Sequence, residues 1–230
     1  DYDAFAFTSL PSVGDDRYPP VSAADVPVRR VTAATCPWIE TSGGRTALRL
    51  PPSDPSAVCA DDAGNTVFTW DAASGVLDVV PAGPTPVAFP GVGLDVTGDV
   101  TYRGRTTWFF GADGTTGDPA YVADADVGAS LRSVDGDYLT GSALGIVTNG
   151  DVTVDPNGIV AAMLYAEGTV DVAKQTTLFG SVVGETVVMQ QVPRIATNRE
   201  VPRVAADLGM PGANAVQGPG TFRILSEERR

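Results

Sequence analysis

Residues 149–172 read "NGDVTVDPNGIVAAMLYAEGTVDV". The stretch has the valines of a strand and the glycines of a turn, and it states one pattern twice. "NGDVTV" begins at Asn149, "EGTVDV" at Glu167 and "GETVVM" at Gly184, so the starts are 18 and 17 residues apart. Similar apolar runs precede them: "LGIVT", "MLYA" and "FGSVV". Such a period is too short for a βαβ unit, which needs about 30 residues. It suits one turn of a β-solenoid, in which short strands joined by tight bends stack on the next turn and complete its ladder. In that reading Val152, Val154, Val170 and Val172 alternate into the core. "GIVAAMLYAEG" (158–168) is apolar almost throughout, so periodicity does not separate strand from helix there. Bounded by Gly158 and Gly168, it reads as two strands.

Outward from this stretch the pattern weakens. "TGDVTY" at Thr97 and "DGDYLT" at Asp135 echo the phrase at less even intervals. "GLDVTGDVTYRG" gives two β runs joined at Gly98, and "TTWFF" an aromatic strand. "NTVFTW" and "GVLDVV" flank the turn "DAASG". "RTALRL" is a strand ended by Pro51 and Pro52. Prolines crowd residues 10–30, which argues against helix or central strand. After Gln191 the pattern stops; "RVAADLG" suggests a short helical turn and "TFRILSEERR" a last strand. The expected fold is all-β, with β-solenoid (β-helix) coils over about 91–192. An irregular, disulfide-containing β region (1–90) precedes them, and a C-terminal capping loop with a last strand (193–230) follows. A β-sandwich with evenly spaced strands is the alternative.

Composition agrees with an all-β chain. Among 230 residues there are 26 Gly and 18 Pro, and 43% are apolar, enough for a sizeable core. The net charge is −13, which disfavours nucleic acid and anionic membranes as partners. There is no histidine. That removes Ser-His-Asp and Cys-His triads and imidazole zinc ligation. Cys36 and Cys59 read as a disulfide contributing about 3 kcal/mol, formed in an oxidising compartment; two buried thiols are the competing reading. The chain begins "DYDAFAFTSL" and has no run of eighteen apolar residues. The expectation is that a leader or anchor was removed or lies upstream.

The segment "SALGIVTNGDVTVDPNGIVAAMLYAEGTVDVAKQTTLFGSVVGETVVMQQVPRIATNREVP", with the terminal "GPGTFRILSEERR", resembles the β-helical region of type IV pilus-associated, minor-pilin-like proteins of the bacterial envelope. The resemblance is good over about 142–200, weaker over 91–141 and absent before that. It implies an exported, non-enzymatic protein at or near surface filaments, with a role in pilus assembly, adhesion or DNA uptake. Other pilus or envelope proteins would be its partners. The hydrophobic N-terminal helix of a full minor pilin is not among these residues, so membrane attachment would need an anchor outside them. The acidity argues against direct DNA capture by this chain.

Chemistry is sparse. Asp113, Asp118, Asp124, Asp126, Asp135 and Asp137 stand among turn residues in "GADGTTGDPAYVADADVG" and "VDGDYL". Asp with Gly is the vocabulary of calcium loops. Their spacing matches neither the EF-hand nor the nonapeptide β-roll, and a solvated acidic turn cluster is the competing reading. No cofactor other than calcium is suggested. Carboxylate pairs with Arg103, Arg105 or Arg132 as charge stabilisers, beside a platform of Trp38, Trp70, Trp108, Phe109, Phe110 and Tyr102, would make a polysaccharide-binding or polysaccharide-cleaving β-helix. That is the alternative function; core filling by the aromatics is the simpler reading.

Overall fold

The computed structural model of the chain describes residues 28–80, 86–111, 123–137, 139, 141–191, 193–197, 201–208 and 210. Over the described residues the fold is all-β with one short helix. The N-terminal portion holds β1 (Arg29–Arg30), β2 (Ile39–Ser42), β3 (Arg45–Leu50), β4 (Cys59–Ala60), β5 (Thr66–Asp71) and β6 (Val76–Val79). Next come β7 (Val87–Pro90), β8 (Gly93–Val96), β9 (Val100–Arg103), β10 (Arg105–Gly111), β11 (Ala125–Val127), β12 (Leu131–Ser133) and β13 (Ala143–Thr148). The last portion holds β14 (Val152–Val154), β15 (Ile159–Ala166), β16 (Thr169–Val172), β17 (Thr177–Val183), β18 (Thr186–Met189), β19 (Arg194–Ala196) and α1 (Val201–Asp207).

Among the described residues, every pairing of β7 and the strands after it is parallel, and the parallel pairings form three ladders. The first runs β3–β8–β11–β14–β16–β18. The second runs β6–β9–β12, then through the first halves of β15 and β17 to β19. The third runs β1–β7–β10–β13, then through the second halves of β15 and β17. The chain visits them in a fixed order: β8, β9, β10, then β11, β12, β13, and so on. Parallel strands need such crossovers, because a tight hairpin reverses direction.

Register shows why the repeat in residues 149–172 exists. Val152 faces Val170, and Val170 faces Val187. The first ladder stacks Leu48, Leu94, Ala125, Val152 and Val170 in one row. Leu50, Val96, Val127, Val154 and Val172 form the row two residues on, and both rows are buried in the main core. The ladders extend N-terminal of residue 91, through β3 and β6, so the first turn of stacking lies within 1–90.

Two expectations are corrected, and the short helical turn expected at "RVAADLG" is present as α1. "IVAAMLYA" is one continuous strand: β15 pairs β12 at Val160 and β13 at residues 163–166, turning a corner without breaking. The pattern also continues past Gln191, because β19 pairs β17 in parallel. The helix at "RVAADLG" lies along a flank. Val201, Val204, Leu208 and Met210 pack on Phe109, Val147, Met163 and Tyr165, the outward side of the third ladder. That ladder is therefore buried on both faces, which is why its strands read as apolar runs without alternation. Gly145 leaves room for this docking: a Cβ there would stand 2.3 Å from the Met210 Sδ. Residues 1–27 and the "TFRILSEERR" segment lie outside the described residues.

The N-terminal end is finished differently. β2 and β3 form an antiparallel hairpin, β5 and β6 form another, and β4 adds to β5. Cys36 and Cys59 are disulfide-bonded and fully buried. Phe68, Phe89, Trp108 and Phe110 stack beside this end, with Trp108 edge-on to the other three.

Candidate functional site

Of the acidic residues singled out from the sequence, the four that are described each have partners of their own. Asp124 sits at the corner before β11, where its Oδ1 accepts a hydrogen bond from the Asp151 N–H at 3.0 Å. Asp151 repeats this one turn later, its Oδ1 accepting from the Thr169 N–H at 2.6 Å. These carboxylates bridge successive corners and satisfy backbone donors. Asp126 points outward from β11 and pairs with Arg45, whose guanidinium also donates to the Asp124 carbonyl at 2.8 Å. Asp135 accepts from the Ser142 hydroxyl at 2.5 Å and the Ser142 N–H at 2.8 Å. Those bonds hold its carboxyl below the usual range. Asp137 pairs with Arg132 at 2.6 Å. Among the described residues no group of three His, Cys, Asp or Glu side chains is arranged to hold a metal ion. Asp113 and Asp118 lie outside them.

The arginines weighed as charge stabilisers are occupied as well. Arg103 pairs with Asp78 at 2.9 Å, and Arg105 reaches Asp207 of α1 at 3.3 Å. The aromatics do not make a platform. Trp38, Trp108, Phe109, Phe110 and Tyr102 are all buried, and Trp70 is half-buried. The Tyr102 hydroxyl donates to the Ala161 carbonyl at 2.6 Å, and burial pushes its pKa up. Core filling, the simpler reading of "TTWFF", is what the structure displays.

Two features escaped the sequence reading. One is Glu167, at the corner between β15 and β16, whose carboxyl burial pushes up to about 7. Nothing distinguishes its "EG" from an ordinary turn. The other is the outward row of the first ladder: Arg49, Asp95, Asp126, Thr153, Asp171 and Val188, one residue per turn. Arg49 lies 3.7 Å from Asp95 and 3.5 Å from Glu40. Asp171 accepts from the Gln190 amide at 2.9 Å. The row is polar on every turn but the last. It emerges only when 31- and 27-residue turns are aligned with 18- and 17-residue ones.

The class these observations define is an all-β protein of stacked parallel ladders with a disulfide at one end. No family model matches the chain, and no curated protein does. Among solved structures, the competence-associated pilin ComZ from Thermus thermophilus is similar, with a TM-score of 0.54 and 20% identity. The match covers 84% of this chain and 43% of ComZ, so the chain spans less than half of that protein's length. The likeness is one of fold. No described helix is long and apolar enough to cross a membrane.

Proposed function

We propose that the three ladders constitute a three-sided β-solenoid, and that the protein is an exported, non-enzymatic module associated with type IV pili, acting in filament assembly or adhesion. The carrying observation is the fold likeness to a pilin, ComZ, over 84% of the chain. It coincides with the resemblance of residues 142–200 to the β-helical region of pilus-associated proteins. The buried disulfide fits folding in an oxidising compartment. The division of labour among side chains supports the non-enzymatic part. Asp124 and Asp151 cap corners, Arg103, Arg105 and Arg132 are paired, and the large aromatics fill the core. Other pilus or envelope proteins are the partners this reading expects.

The test is location. Filaments are sheared from cells that produce the protein, and the sheared fraction and the medium are probed for it. The proposal expects co-sedimentation with filaments, lost in cells unable to assemble them. Protein found free in the medium of both strains would overturn it and bring polysaccharide binding forward for direct assay.

A further inference from the structure

The two ends of the ladders are built differently. The N-terminal end is closed by antiparallel hairpins and a disulfide. At the other end β18 pairs β16 on one side and, among the described residues, nothing on the other. Its side chains are open to solvent: Val187 is 41%, Val188 39% and Met189 47% exposed, and Ile195 of β19 is 39% exposed. Sheet edges are ordinarily guarded by charge, proline or a bulge. Here residues 186–192, "TVVMQQV", carry no charge and no proline, in a chain of net charge −13.

Val187 and Met189 continue the two inward rows, so their exposure is that of a stack with no further turn over it among the described residues. Val188 is different. It belongs to the outward row, which runs Arg49, Asp95, Asp126, Thr153, Asp171 and turns apolar only here. A strand that merely covered the core would need Val187 and Met189 apolar and would leave Val188 in water. An apolar Val188 fits an occupant that is apolar beside it on the outer side too.

We infer that this edge is a self-association surface, on which β18 pairs antiparallel with β18 of a second copy about a two-fold axis through Val188. In that register Val188 faces its own counterpart, and Val187 faces the second copy's Met189. The inward positions then continue the core of one molecule into the other. Such an interface is self-complementary, as a two-fold contact must be. An Asp at 188, in keeping with the row, would set two like charges directly opposite each other. The uncharged edge is also where two strongly acidic chains approach with least repulsion, so screening by salt strengthens the pairing.

The experiment is sedimentation of the whole chain from about 1 to about 100 µM, the range in which a small interface associates. The expected result is a concentration-dependent dimer that gains population with added NaCl. Val188→Lys raises the dissociation constant at least roughly tenfold, because like charges then oppose each other. Its monomer keeps the wild-type circular dichroism and melting temperature, since Val188 is outward-facing. Val188→Cys forms a disulfide-linked dimer on mild oxidation, while Val58→Cys, more exposed but in the N-terminal region, does not. A wild-type chain that stays monomeric throughout, or a Val188→Lys dimer as tight as wild type, overturns the inference.

Discussion

Val170 gives the ladder assignment its sharpest test, because its chain neighbour Asp171 points the other way. Val170 is fully buried, with Val152 on the turn before it and Val187 on the turn after. Val170→Ala removes two methyl groups, about 1.6 kcal/mol of transfer free energy. The cavity left in a stack held by strands on both sides adds about 1 kcal/mol more. The expected loss is therefore about 2–3 kcal/mol, or a fall in melting temperature of roughly 5–10 °C for a chain of this size. Asp171 is outward, and its carboxylate accepts from the exposed Gln190 amide. Asp171→Ala should stay within about 0.5 kcal/mol of wild type. Val170→Asp buries an unpaired charge and should abolish stable folding at room temperature. The assay is urea denaturation followed by circular dichroism, with the slope checked for constancy across variants. Equal losses for Val170→Ala and Asp171→Ala would refute the register, since a one-residue slip exchanges their faces.

Three further outcomes are expected. Gly180 has a φ of 147°, and a Cβ there would lie 2.1 Å from the Ala162 carbonyl oxygen, so Gly180→Ala should lower stability by at least about 2 kcal/mol in the same denaturation assay. Replacing Cys36 and Cys59 together by Ser removes a cross-link of sequence separation 23; the loss should be about 3 kcal/mol, matched by wild type melted with a reductant. Glu167 carries a folded pKa of about 7 against 4.5 unfolded, so the native state binds more protons in that window and stability falls as pH rises through it. Glu167→Gln should flatten this slope and raise the melting temperature at pH 8. Asp135, held low by Ser142, has the opposite effect, confined to more acidic solutions.

How much of this was legible depended on two local conditions. The valine rows of β14 and β16 could be read because only one of their faces is buried, so alternation survives, and because those turns carry no insertions. Between Leu94 and Val152 the register-related positions stand 31 and 27 residues apart instead of 18 and 17, and the repeat phrase slips. "TGDVTY" spans the corner into β9 of the second ladder, and "DGDYLT" falls between β12 and β13 in sequence. The β15 segment was ambiguous for the opposite reason: α1 covers Met163 and Tyr165 from outside while Leu164 and Ala166 face the core. No local pattern announces a helix that begins at Val201, well downstream of Met163. The acidic residues misled by proximity in sequence. Asp124 and Asp126 are two apart, yet one caps a corner and the other faces an arginine from β3, 81 positions away.

The same stacking suggests where function is to be sought. In a ladder protein each turn contacts its neighbours, and stability accumulates turn by turn. Side chains with chemistry are drawn into that task wherever a corner or an outward row needs them: Asp124 and Asp151 at corners, Arg45 and Arg49 along the first ladder, Asp61 beneath Arg29 at 2.8 Å. What the stack does not consume lies at its limits. The outer side of the third ladder is taken by α1, and the N-terminal end by hairpins and the disulfide. The C-terminal edge is left with Val187, Val188 and Met189 open to solvent. A mutation there should change what the protein binds before it changes how stably it folds, whereas a mutation in the valine rows should do the reverse. Comparing Val188→Lys with Val170→Ala for both filament co-sedimentation and self-association separates the two effects. Loss of self-association with filament binding intact would assign the edge to copies of this chain and send the search for pilus contacts to the flanks.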